Sequence, residues 1–82
     1  MEVYTMKEYH VEFVTPVEMI FDTIRARSGR AAIEKALVSA GYKNAVYAWA
    51  ENTGLSYPEG KRPTQLKYRE NNTYIHAIAW TI

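Results

Sequence analysis

Imidazoles are the side chains best suited to move protons near neutral pH, and this chain has two, His10 and His76. Each would need an orienting carboxylate and a nucleophile brought to it in space. No G-x-S-x-G or H-E-x-x-H run supplies them locally, and there is no cysteine. Glu12 shares a strand face with His10, as alternate residues of any strand do. Two histidines without ligand spacing make no zinc site. The sequence therefore predicts no catalytic residue, no metal ligand and no cofactor, and a protein that is not an enzyme. Both histidines read as surface or interface residues.

The residues that could do work are those suited to binding. Seven Tyr, two Trp and two Phe are many for 82 residues. Tyr47, Trp49, Tyr74, His76 and Trp80 alternate with Lys67 and Arg69 across stretches that read as strands. Trp, Tyr and Arg are the usual anchors of protein interfaces. Aromatics on a sheet can also stack bases while Lys and Arg hold phosphates, which makes single-stranded DNA or RNA the alternative partner. Against that alternative stand a net charge of +1 and the absence of a GFGFVxF-type strand. A second basic group, Arg25, Arg27 and Arg30, stands at a strand–helix junction, where a helix N-terminus favours anions. Ser28-Gly29-Arg30 holds a single glycine and is no phosphate loop. Lys61-Arg62 adds a small basic point in a loop. These twelve residues are the candidate partner-binding positions.

The elements that must position them are organised around Phe21–Tyr42. Ser28 is a good N-cap. Behind it Ile33, Ala36, Leu37 and Ala40 fall on one stripe at about 100° per residue. Arg30, Glu34, Lys35 and Ser39 fall elsewhere, and Val38 and Ala31 point away. Gly41 stands where a left-handed C-cap residue is wanted, with Tyr42 placed to fold back onto Leu37. A helix of about 12 residues is marginal alone in water and needs a partner surface.

Before it, residues 7–15 alternate as a strand, with a start as early as Val3, until Thr15-Pro16 stops it. A hairpin leads to a second strand, Glu18–Arg27, whose Ile24 and Ala26 face inward. After the helix, Asn44–Glu51 presents Val46, Ala48 and Ala50 on one face and Tyr47 and Trp49 on the other. Residues 52–64 form a long surface loop. Gln65–Arg69 and Tyr74–Ile82 form a hairpin about Asn71-Asn72, since asparagine tolerates the positive φ of a two-residue turn. That turn opposes Tyr68 to Ile75, Leu66 to Ala77, Lys67 to His76 and Arg69 to Tyr74. The fold class is α+β: a two-layer sandwich with one α-helix on one face of a mainly antiparallel sheet, order β-β-α-β-β-β.

One helix cannot cover both faces. With Ile24/Ala26, Val46/Ala48/Ala50 and Leu66/Ala77/Ala79 beneath it, the other face collects Met19, Phe21, Tyr47, Trp49, Tyr74, His76 and Trp80, with Arg25, Lys67 and Arg69 among them. Exposed apolar patches of that size usually mark a contact surface. The competing reading is that the 52–64 loop, the N-terminal residues or a second copy covers these aromatics.

Eighty-two residues make one domain, 1–82, which buries only about 60% of its unfolded surface. Hydrophobic content of 48% suits a folded chain. No run approaches a membrane span, and MEVYTMKEYH has no h-region. With no cysteine, a cytoplasmic protein is expected, monomeric or homodimeric.

The segment IRARSGRAAIEKAL, a strand ending in Ile-x-Ala, a Ser cap and an Ala-rich helix with A-x-x-x-A, resembles small phage-encoded inhibitors of the β-β-α-β type, among them anti-CRISPR proteins. The likeness spans roughly residues 9–50. It implies a non-enzymatic inhibitor in the host cytoplasm that docks on a host nucleoprotein complex and blocks DNA entry or nuclease recruitment. It carries no binding residue over to this chain. The chain departs from the acidic, DNA-mimicking inhibitors in being slightly basic.

Overall fold

Five strands and one helix follow the expected order in the computed structural model, which describes residues 5–82. They are β1 Lys7–Val14, β2 Met19–Ala26, α1 Gly29–Ser39, β3 Val46–Ala50, β4 Thr64–Glu70 and β5 Thr73–Thr81. Every neighbouring strand pair is antiparallel, in the order β2-β1-β5-β4-β3. α1 lies over β2, β1, β5 and β4. The result is a two-layer α+β fold with β2 and β3 at the sheet edges. A β1 start at Val3 lies outside the described residues.

The turns are built by the residues that named them. Thr15 is buried, and its Oγ1 accepts the Val17 N–H at 3.2 Å and the Glu18 N–H at 3.1 Å, closing the β1–β2 hairpin. Asn71 takes φ 56 in the β4–β5 turn. The register that follows is the expected one, Tyr68↔Ile75, Leu66↔Ala77, Lys67↔His76 and Arg69↔Tyr74.

Ser28 caps α1, its Oγ accepting the Ala31 N–H at 3.1 Å. At the other end Gly41 has φ 98. Its N–H reaches Val38 O at 3.0 Å, and the Tyr42 N–H reaches Leu37 O at 2.8 Å. This is a Schellman closure, which satisfies two orphan carbonyls. Tyr42 then lays its ring edge-on to Phe13, 5.8 Å between centroids.

The buried stripe of α1 is Gly29, Ala32, Ile33, Ala36 and Leu37. Ala40 is exposed, because the helix ends at Ser39 and Ala40 is already its cap. Ala32 takes its place in the stripe, and Ala31, expected to point away, is partly buried against the core. Gly29 sits hard against β4: a Cβ there would lie 2.2 Å from Thr64 Oγ1. Beneath the helix, Val11, Phe13, Leu66, Tyr68, Ile75, Ala77 and Ala79 close the core, with Ile24 and Ile20 at its rim.

β3 departs from expectation. Its register runs Val46↔Arg69, Tyr47↔Tyr68, Trp49↔Lys67 and Ala50↔Leu66, with Ala48 in a bulge. One extra residue reverses facing on either side of it. Tyr47 therefore turns to the helix side and Val46 to the helix-free face, while Trp49 keeps its expected place. The small residues Val46, Ala48 and Ala50 are not packed beneath the helix, because β3 is an edge strand beyond its reach.

Candidate functional site

The helix-free face carries one parity of residues from every strand: Met19, Phe21, Thr23 and Arg25 on β2; Glu8, His10, Glu12 and Val14 on β1; Tyr74, His76, Ile78 and Trp80 on β5; Lys67 and Arg69 on β4; Val46 and Trp49 on β3. Its centre is closed. Ile78 is fully buried and Trp80 is 9% exposed. His10 stacks on Trp80 with centroids 4.5 Å apart and planes 29° apart. Thr53 donates its N–H (2.9 Å) and hydroxyl (2.6 Å) to Gln65 Oε1, and Gln65 is Ile78's cross-strand neighbour. The start of the β3–β4 connection thus meets this face at Gln65. Trp80, expected to be an accessible partner residue, is a packing residue, stacked with His10 on a strand in mid-sheet.

Toward β3 the face opens. Trp49 is 48% exposed and Tyr74 41%. Lys67 stands between them, its Nζ 4.7 Å from the Trp49 ring centroid and 4.3 Å from that of Tyr74. The two rings are 6.2 Å apart and tilted by 47°. Their alignment follows from the β4–β5 register and from the bulge, which puts Trp49 opposite Lys67. Beside them, Val46, Trp49, Arg69 and Tyr74 line a shallow hollow of about 220 Å³. Among the described residues neither Lys67 nor Arg69 pairs with a carboxylate. Met19 and Phe21 make a second exposed apolar area at the β2 edge.

Both histidines on this face have carboxylate partners. His10 Nε2 is 2.7 Å from Glu12 Oε2, and His76 Nδ1 contacts Glu51 Oε2. The His10 pair was legible as an i, i+2 relation, whereas Glu51 was not, since it meets His76 only through the β3–β4–β5 pairing. Among the described residues no three His, Asp or Glu side chains gather as a metal site would require.

On the helix side, Arg30 Nε and the Tyr68 hydroxyl both donate to Glu34 Oε2 at 2.8 Å. Arg30 also lies 4.2 Å over the Tyr47 ring, which meets Tyr68 edge-on at 6.0 Å. Partial burial works to raise the Glu34 carboxyl, but the hydrogen bonds from Arg30 and Tyr68 outweigh it and hold it below its ordinary value. Burial, and then the bond to Glu34, push the Tyr68 phenol up. Tyr47, expected on the binding face, belongs instead to this cluster.

The three junction arginines do not converge. Arg25 is on the helix-free face of β2 and Arg30 on the opposite face, paired with Glu34; Arg27 lies beyond the β2 end. Lys61 and Arg62 lie on the β3–β4 connection, in a turn where the Lys61 N–H meets Pro58 O at 3.3 Å. Of the twelve candidate residues, the structure brings together Trp49, Lys67, Arg69 and Tyr74, with His76 beside them. Val46, which the bulge turns outward, joins them.

None of the described helices is long and apolar enough to cross a membrane. Compared with protein-family models, with curated proteins and with solved structures, the chain matches none.

Proposed function

We propose that this is a non-enzymatic binding module that engages another protein through the Trp49–Lys67–Tyr74 area of its helix-free face. The observation that carries this reading is the exposure of two large rings on a rigid hairpin-supported sheet, braced by a cation with no carboxylate partner among the described residues. Rigid aromatic anchors with a cation between them are the composition of interface hot spots. Inhibition of a host nucleoprotein complex, in the manner of anti-CRISPR proteins, is the specific form that the sequence likeness implies.

Nucleic-acid binding fits this geometry less well. Lys67 fills the gap between the rings, and rings tilted by 47° offer no parallel slot for a base. Glu8 and Glu12 on β1 share the face and would repel a phosphate backbone laid across it.

The test is affinity capture from cells that carry this protein, with wild type beside a Trp49→Ala/Tyr74→Ala variant of unchanged circular dichroism. Loss of a captured protein from the variant supports the reading; equal capture sinks it. Tight, steeply salt-dependent binding of bare single-stranded DNA or RNA would favour the alternative.

A further inference from the structure

The two edges of the sheet differ in how they are finished. In an antiparallel ladder, residues alternate between bonding one neighbouring strand and bonding the other. Ile82 N–H on Glu8 O and Glu51 N–H on Gln65 O fix the phase. Residues 8, 10, 12 and 14 of β1 then bond β5, so Met19, Phe21, Thr23 and Arg25 of β2 point their backbone groups away from the sheet. Toward the Ala26 end two of these groups are taken: Asp22 Oδ1 accepts the Thr23 N–H at 2.8 Å, and Lys35 Nζ donates to Arg25 O at 3.0 Å, whereas among the described residues no side chain takes the outward groups of Met19 and Phe21. Side chains that occupy an edge in this way hinder strand addition along that half of β2.

The same phase leaves the N–H and C=O groups of Tyr47 and Ala50 pointing out from β3. Among the described residues, no side chain takes them. This edge is flanked by a hollow on each face. One, of about 220 Å³, has Val46, Trp49, Arg69 and Tyr74 on the helix-free side. The other, of about 210 Å³, has Arg30, Val38, Lys43 and Tyr47 on the helix side. An unblocked edge supplies main-chain hydrogen bonds, and hollows on alternate faces receive alternate side chains; together they make a strand-addition site.

Charge selects the occupant. The carboxylates near this edge are engaged: Glu34 with Arg30, Glu51 with His76 and Glu70 with the Asn44 N–H at 2.9 Å. Lys43, Lys67 and Arg69 have no carboxylate partner among the described residues. A second copy would bring the same cations against them.

We propose that the outer edge of β3 takes an extended, acidic segment of a partner protein as an added strand. This deepens, and rests on, the reading of the protein as a protein-binding module. The bulge spaces Tyr47 and Ala50 three residues apart, so the added strand is anchored at two points. Its side chains fall alternately on the Trp49 side and the Lys43 side.

The test is an NMR titration of the full chain with an octapeptide alternating glutamate and valine, against one alternating lysine and valine. The expected result is amide shifts and slowed exchange at Tyr47 and Ala50 with the acidic peptide, which binds about tenfold tighter than the basic one. Ala50→Pro removes an outward N–H and no sheet bond, so it folds and weakens the acidic peptide by about tenfold. Lys43→Glu/Arg69→Glu reverses the preference between peptides. Shifts at β2, equal response to both peptides, no response at millimolar peptide, or a β3-mediated dimer that Ala50→Pro dissolves would each overturn the proposal. Partner capture lost with Trp49→Ala/Tyr74→Ala but kept with Ala50→Pro sinks this inference alone. Capture kept with the former and lost with the latter sinks the face reading alone.

Discussion

Lys67 holds its ammonium 4.3 Å from the centre of the Tyr74 ring, on the face of the sheet that no helix covers. A cation over an exposed ring contributes roughly 0.5–1 kcal/mol. Lys67→Ala should lower unfolding free energy by about that amount in a urea titration. Lys67→Glu should keep the fold and abolish partner capture, because it reverses the charge where Lys67 and Arg69 stand together. A folded Lys67→Glu protein with unchanged capture would remove Lys67 from the interface.

Two aromatic positions of the same face should behave in opposite ways. Trp80 is 9% exposed beneath His10, and Ile78 beside it is fully buried. Ile78→Ala and Trp80→Ala should each cost about 2–5 kcal/mol, a large share of a small domain's stability. Trp49→Ala should cost about 1 kcal/mol or less. Thermal melts of the three variants check this; equal losses at Trp49 and Trp80 would mean that Trp49 is packing too.

Glu34 predicts an acid limb. Its folded pKa is depressed, despite the opposing effect of burial, by Arg30 and Tyr68. The unfolded chain therefore takes up the proton first as pH falls. The stabilisation is present above the ordinary glutamate value of about 4.3 and is lost as pH drops through the lower folded value. Melting temperature should fall more steeply below that point in wild type than in Glu34→Gln. Tyr68 predicts the opposite limb: its folded pKa is raised, so stability falls as pH climbs past the ordinary tyrosine value of about 10.

Gly29 is required by approach rather than by backbone angle. A Cβ would stand 2.2 Å from Thr64 Oγ1 and 2.6 Å from Thr64 Cβ. Gly29→Ala should destabilise by about 1–3 kcal/mol, although alanine is the better helix former. Adding Thr64→Ala should recover part of the loss. A neutral Gly29→Ala would show that α1 shifts on β4 at little cost.

Local chemistry made much of this fold legible. Ser28, Gly41, Thr15-Pro16 and Asn71-Asn72 each act within a few residues, and each holds the role its type implied. The β4–β5 register followed from the turn alone, and it placed Lys67 and Tyr74 on one face. What escaped was set by long-range pairing. A bulge at Ala48 has no marker in NAVYAWAE, yet it sends Tyr47 to Tyr68 and Val46 outward. Glu51 reaches His76 across β4, which no spacing announces. Trp80 looked as exposed as Trp49 because both alternate. Only the placement of β5 in mid-sheet and β3 at its edge separates them.

Amide hydrogen exchange of the captured complex against the protein alone tests the central claim most directly. Binding through the Trp49–Lys67–Tyr74 area predicts slowed exchange in β3 and in the hairpin at Lys67, Arg69 and Tyr74, with the solvent face of α1 around Lys35 and Ser39 unchanged. Protection on that face of α1, with β3 unaffected, would contradict it.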